Sequence, residues 1–398
     1  MTRLAGILLL WVLVLSSCEQ PGAPDNPSVR LAPPLGLPAV PLAPDNPLTQ
    51  ARIELGRTLF MDRRLSHNNT LSCAMCHVPE QGFTSNELRT AIGLEGQTIR
   101  RNSPTIYNVA YVEQLFHDGR EFSLENQVWG PLLASNEMAN PSIGYLIEKI
   151  KVLPEYKGRF EKAFAGRGPD VLTVGQALAA YQRTLVSGNS RFDRWHYGKE
   201  ENALTAEEQA GFRLFNGKAG CSACHAIGEM HALFSDHRFH NTGIGYAHSM
   251  GLSRKHRVQL APGKFVEVEG KALDSFEPPL PDVGRYEVTL DPADSWAYRT
   301  PNLRNVALTS PYMHDGSLAT LEDVVEFYDR GGIDNPQKDP LLKPLGLSAT
   351  EKQALAAFLR SLTGDNVQKL VTEARAAQPA DTPPEKDPAS TYRRSDQN

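Results

Sequence analysis

Apolar positions along this chain fall mostly at helical spacing. From Thr320 to Gly332, Leu321, Val324, Val325 and Tyr328 sit at i, i+3, i+4 and i+7 and form one stripe. Thr320 with Asp323 is a capping pair and Gly331 a stop, so a helix is predicted there with Tyr328 turned inward from its last turn. Ser348 and Glu351 open another helix, with Leu355, Phe358, Leu359 and Leu362 on one face and Gly364 at its end. Thr205 and Glu208 open a helix that runs into Gly211-Phe-Arg-Leu-Phe215, and Leu55-Gly-Arg-Thr-Leu-Phe60 is an earlier, imperfect copy of that run. Ser123 caps a predicted helix through Leu133, and Thr173 with Gln176 opens one running to Val186. Residues 227–300 lose the periodicity and read as long loops with a short hairpin around Lys264 to Val268.

The ends of the chain have a different texture. Prolines recur from Pro21 to Pro47 and exclude helix and sheet alike. The stretch after Asp365 is polar, and Gly188, Asn189 and Ser190 interrupt the pattern between Ser187 and Asn202. The expected organisation is a leader over 1–18, a Pro-rich linker over 19–47, an N-terminal domain over 48–190, a C-terminal domain over 191–365 and a disordered tail over 366–398.

Composition changes this picture little. The 398 residues, 40% hydrophobic and 22% charged, suffice for two globular domains. A net charge of −5 gives no reason to expect nucleic acid. Arg3 followed by the apolar run Ile7 to Leu15, too short to span a bilayer, reads as an export leader. Leu15-Ser-Ser-Cys18 has the form of a lipoprotein signal, which would make Cys18 a lipid anchor and the only contact with the membrane; the alternative is an ordinary cleaved leader. Either form sends the chain to the periplasm, tethered there in the lipoprotein reading.

The other four cysteines lie in Cys73-Ala-Met-Cys-His77 and Cys221-Ser-Ala-Cys-His225. C-x-x-C-H is the attachment signature of c-type haem: the thiols add to the vinyl groups and the His ligates iron. Zinc sites also use paired cysteines, but a His joined to both pairs fits haem better. The sequence therefore predicts two covalently attached c-type haems in a mainly α fold, as two cytochrome c-like (class I) haem domains packed together with long loops in the second.

The ligand opposite each His decides what its iron does. No His follows His77 until His117 and no Met until Met138, which argues for an open site on the first haem. Gln127 and Glu137 are placed to line it. A carboxylate over an open haem suits peroxide cleavage, because it can take a proton from one oxygen and return it to the other. An isolated Glu is otherwise most often a solvated charge. For the second haem, Tyr328, Met313 and His314 are rivals, and pattern alone does not separate them.

At these residues the chain resembles the bacterial di-haem cytochrome c peroxidase family, and within it the MauG-like branch, over roughly residues 48–365. The likeness rests on Leu-Gly-Arg-x-Leu-Phe before the first motif, Arg101-Asn-Ser-Pro-Thr105, Phe116-His-Asp-Gly-Arg120, Gly130-Pro131, Glu137-Met138, Thr300-Pro-Asn-Leu-Arg-Asn305, Pro311-Tyr-Met-His-Asp-Gly316 and Phe327-Tyr-Asp-Arg-Gly-Gly332. The resemblance implies His77 under a peroxide-binding iron, with Gln127, Pro131 and Glu137 in the distal pocket and Glu137 as acid/base. It also implies Tyr328 as the ligand opposite His225, His314 beside the second haem, and a calcium ion held at Asn102, Thr309 and Pro311. The activity it implies is reduction of hydrogen peroxide at the N-terminal haem and oxidation of a partner protein or other electron donor through high-valent haem states. The alternatives are a conventional cytochrome c peroxidase fed by a small cytochrome, and an electron carrier or redox sensor without turnover. Two positions depart from the pattern. His117 stands where the family usually has Trp between the haems and could bridge or pack in its place, and Ala219 stands where the branch's name-giving member has a surface Trp.

Overall fold

The computed structural model describes residues 26–251, 255–261, 264–269 and 281–376; the expected leader with Cys18 and the chain beyond residue 376 lie outside them. The described chain is mainly helical and builds two cores. One gathers Leu59, Phe60, Leu132, Leu146, Phe160 and Tyr181; the other gathers Phe192, Phe215, Phe234, Leu321, Leu355 and Phe358.

Each core grows from one helix crossing. Helix Gln50–Met61 crosses Val171–Gln182, and helix Ala206–Asn216 crosses Ala349–Arg360. The backbones approach so closely that only glycine fits. A Cβ on Gly56 would lie 1.8 Å from the carbonyl oxygen of Ala177, and one on Gly211 would lie 2.0 Å from that of Ala354. One turn further on, Phe60 and Phe215 each bring a ring centroid to 6.5 Å from the imidazole of His77 or His225. The repeat seen in the sequence thus encodes a crossing point and the ring that backs each histidine.

Thr205, Thr320 and Ser348 cap their helices, each in a reciprocal box with Glu208, Asp323 or Glu351. Two other predicted helices come out differently. The run from Ser123 to Leu133 is two short helices, Leu124–Gln127 and Trp129–Leu133. Pro131 has no N–H to offer the carbonyl of Gln127, and its ring crowds that carbonyl, so the helix cannot run through. The helix expected to open at Thr173 begins at Val171. Asp170 caps it, accepting from the N–H groups of Leu172 and Thr173, while the N–H of Asp170 donates to Thr173 Oγ1. It ends at Gln182 rather than Val186, and the carbonyl of Leu185 accepts instead from the Asn108 N–H at 2.8 Å. The hairpin is longer than expected, pairing Lys255–Ala261 with Lys264–Glu269.

Both ends of the described chain depart from expectation. From Val29 onward the Pro-rich stretch, expected as a free linker, lies on the body. Leu37 and Val40 are buried with Tyr111 and Val186, and Tyr111 donates its hydroxyl to the Pro38 carbonyl at 2.9 Å. The prolines leave no helix there, yet the apolar residues between them still cover surface. The tail expected to be disordered from 366 starts as helix Val367–Arg375. Its Leu370 and Ala374 enter the first core, and Arg375 grips Glu80 through bonds of 2.7 and 2.5 Å. A short apolar face inside a polar stretch was enough to dock it.

The Pro-rich stretch, a strap on the body, meets the second half at Arg304. This guanidinium is 1% exposed and pairs with Asp193, which is fully buried, through bonds of 2.7 and 2.8 Å. It also donates to the carbonyls of Ala232 at 2.7 Å and Gly36 at 2.5 Å. Replacing Asp193 by Ala strands a buried cation and is expected to cost about 3–5 kcal/mol. Urea unfolding of the haem-loaded protein measures it, and a loss under about 1 kcal/mol would show the pair to be dispensable.

Candidate functional site

The two C-x-x-C-H segments fold alike. In each, the His N–H closes a turn onto the carbonyl of the first Cys, at 2.9 Å for both His77 to Cys73 and His225 to Cys221. The ring Nδ1 then meets a second carbonyl, Phe83 at 3.1 Å for His77 and Phe234 at 2.8 Å for His225. A carbonyl only accepts, so Nδ1 carries the proton in both rings and Nε2 is left with its lone pair. Burial holds both imidazoles below the usual histidine range and so neutral, as a metal ligand must be. Phe83 and Phe234 both take left-handed backbone conformations, with φ of 51° and 50°, which turn those carbonyls inward.

Around the first motif, Glu137 is half-buried, and its charge bears on the sulfurs of Cys73 and Cys76. Burial holds its carboxyl above the usual range, and the Arg120 guanidinium acts the other way. Its carboxylate makes no hydrogen bond among the described residues. The backbone beneath it is locked: the Glu137 carbonyl accepts from Leu94 at 3.0 Å, and Met138 donates to the Pro131 carbonyl at 3.1 Å. Gly93 lets the neighbouring loop close down, since a Cβ there would lie 1.9 Å from the Asn136 carbonyl oxygen. Gln127 ends one short helix and Pro131 sits in the next, both half-buried. The Arg120 guanidinium lies 3.5 Å from the centre of the Phe116 ring and pairs with Asp118 at 2.9 Å.

The second motif opens onto a cavity of about 320 Å³ whose walls include Cys221, Cys224, His225 and Tyr328. All four residues of the stripe, Leu321, Val324, Val325 and Tyr328, line this cavity, and Leu321 and Val325 also belong to the second core. Burial raises the Tyr328 phenol above its usual range, and the nearby sulfurs of Cys221 and Cys224 add to the shift. The phenol makes no hydrogen bond among the described residues. Met313 and His314 also line the cavity. The His314 ring is committed to a stack on Tyr298, with centroids 3.5 Å apart and planes 12° apart.

The same cavity reaches the junction of the halves, where His117, Asn102, Thr309 and Pro311 form part of its wall. His117 Nε2 donates to the Asn102 carbonyl at 2.9 Å, and Asn102 N–H donates to the His314 carbonyl at 2.7 Å. Burial pushes His117 down to about 3 and His314 to about 4, so both are neutral.

Several junction residues went unread in the sequence. Arg101 bridges Asp118 and Asp282 with bonds of 2.6 to 2.7 Å. His240 is held between Asp339 and Asp236, at 2.5 and 2.9 Å. Arg299 lines the cavity beside His117. A signal was present for part of this: Asn108-Val-Ala recurs as Asn305-Val-Ala, and His117-Asp-Gly recurs as His314-Asp-Gly. The copies share backbone form. Asn108 and Asn305 have φ of 59° and 61°, Phe116 and Met313 of 65° and 71°, and Gly119 and Gly316 of 69° and 67°.

The residues present fit haem. Two thiols stand beside each neutral histidine, and the cavity wall carries the buried Tyr107 hydroxyl, which finds no hydrogen-bond partner among the described residues. These features define a di-haem c-type cytochrome. Comparison with known proteins narrows the class. The description di-haem cytochrome c peroxidase matches residues 50–201. The chain is 40% identical over 335 residues to cytochrome-c peroxidase IdrP1 of Denitromonas iodatirespirans, covering 83% of this chain and 86% of that one. It is 37% identical over 328 residues to methylamine utilization protein MauG of Methylorubrum extorquens, covering 82% of each. A solved MauG-like protein associated with microbial copper homeostasis matches with a TM-score of 0.70 at 31% identity, over 87% of this chain and 98% of that one. The chain belongs to the di-haem cytochrome c peroxidase family and is a haem-dependent oxidoreductase.

Proposed function

We propose that this protein is a MauG-like peroxidase that reduces hydrogen peroxide over His77 and takes the electrons from a partner protein or other donor by way of the second site. The observation that carries this reading is the unlikeness of the two sites: a half-buried carboxylate without a hydrogen bond beside one motif, a phenol facing the other. The haems supply the redox chemistry when bound. The chain from Val78 to Asn102 offers no His or Met to cover the first iron. Glu137 takes a proton from one peroxide oxygen and delivers it to the other. Burial holds its carboxyl above the usual carboxylate range, which suits a group that must both hold and release a proton. Gln127 and Pro131 wall the pocket. With His225, Tyr328 would hold the second haem, and His314 is kept from that role by its stack on Tyr298.

The lesser elements of this reading are a class I cytochrome c form for each half, a calcium ion at Asn102, Thr309 and Pro311, and a periplasmic location with Cys18 as lipid anchor. Relatives named for cytochrome c peroxidase activity, including cytochrome c551 peroxidase of Nitrosomonas europaea at 33% identity, favour a second reading as a conventional peroxidase. Brisk steady-state turnover with a reduced small cytochrome would select it.

Glu137→Gln is expected to slow the reaction with peroxide by about 100-fold or more with haem content unchanged. Glu137 accepts a proton only when ionised, so the wild-type rate falls as pH drops through its raised value, and the variant loses that acidic limb. Stopped-flow traces across pH test this; unchanged kinetics would remove Glu137 from the mechanism. Tyr328→Phe is expected to change the ferric absorption and EPR signature of one haem while both stay attached. Identical spectra would take Tyr328 away from the iron.

A further inference from the structure

We propose that Arg299 binds a haem propionate at the junction of the two halves, an inference that rests on the di-haem reading above. The two-residue pairing of Phe239–His240 with Tyr298–Arg299 fixes its backbone, and its N–H donates to the His117 carbonyl at 2.8 Å. Arg299 is therefore tied to both halves. Its side chain, however, finds only neutral partners: Nε donates to the Phe116 carbonyl at 3.3 Å, and Nη1 donates to the Thr300 carbonyl at 3.2 Å. No carboxylate reaches it among the described residues.

The nearby acids are taken. Asp118 pairs with Arg101 and Arg120, Asp282 with Arg101, and Asp315 with Arg89. Burial alone acts on the Arg299 charge, and it holds the guanidinium below its ordinary range. An enclosed cation without a counter-charge is costly, and proteins do not keep one without an anion to meet it. The surface Arg299 does keep open lies on the cavity wall that it shares with Cys221, Cys224 and His225. A haem attached there carries two carboxylates on short arms, and guanidinium pairs with carboxylate through two parallel bonds. Arg299 is thus a positioning residue. It neutralises the cofactor's own charge and anchors it to the segment that joins the halves. A cation so placed also favours adding an electron to the haem whose propionate it holds.

The test uses haem-loaded protein with Arg299→Gln and Arg299→Lys, each checked for two haems per chain by pyridine haemochrome absorbance. Potentiometric titration is expected to show the midpoint of one haem lowered in the Gln variant and restored toward the wild-type value in the Lys variant. Resonance Raman spectra are expected to show a shifted propionate bending mode in the Gln variant alone. Equal midpoints in all three proteins, or equal shifts in both variants, would overturn the assignment. A wild-type midpoint that moves with added chloride or phosphate would give the charge to an exchangeable anion and overturn it as well. Wild-type protein with fewer than two haems would sink the di-haem reading itself, an outcome the haem count reports separately.

Discussion

A hydrogen bond from the histidine of each C-x-x-C-H segment to a backbone carbonyl sets what the rest of the molecule can do. Nδ1 of His77 reaches the Phe83 carbonyl at 3.1 Å, and Nδ1 of His225 reaches that of Phe234 at 2.8 Å. These bonds choose the tautomer and fix the plane of each ring. They exist only because Phe83 and Phe234 are held in a left-handed conformation that an L side chain adopts at a cost. The surrounding fold holds them there. In each half Gly56 or Gly211 brings two helices into backbone contact, and Phe60 or Phe215 then places its ring centroid 6.5 Å from the imidazole. A side chain at either glycine would part the helices and release the ring behind the histidine.

The junction between the halves obeys a different rule. It is polar, enclosed and almost fully paired. Arg101, Asp118 and Asp282 neutralise one another, Arg304 and Asp193 do the same beside the strap, and His117 and His314 are kept neutral by burial. In so balanced a region a guanidinium that meets no carboxylate among the described residues stands out, which is why Arg299 is informative where an exposed arginine would not be.

Much of this was legible in the sequence because the signals are local. C-x-x-C-H declares its chemistry within five residues. The boxes at Thr205, Thr320 and Ser348 declare helix starts within four, and each folds as it reads. What was missed depends on distant partners. The docking of Leu37 and Val40 needs Tyr111, and the helix at Val367 needs the first core. The break after Gln127 was legible, since Pro131 was in view, but the periodicity around it was given more weight. Arg299 and His240 could not be read, because their meaning lies in which acids stand near them. The second stretch of repeat was legible only in two short identical triplets, at Asn108 and Asn305 and at His117 and His314, and between them its copies agree in backbone conformation more than in residue identity.

That second stretch carries the difference between the two halves. The turn bridged by Leu115 and Glu121 has its counterpart in Tyr312 and Leu318. Each turn leads into a capped helix, at Ser123 in one half and Thr320 in the other. Counting from those caps, Leu124 matches Leu321 and Val128 matches Val325, and all four are buried in their respective cores. The next step along the same face is Pro131 in the first half and Tyr328 in the second. One position therefore offers a ring with no donor atom on one side of the molecule and a phenol on the other. Proline also interrupts the helix, so the first half has two short helices before Glu137. A duplicated scaffold with one residue exchanged thus presents two different side chains at the same place in its two halves.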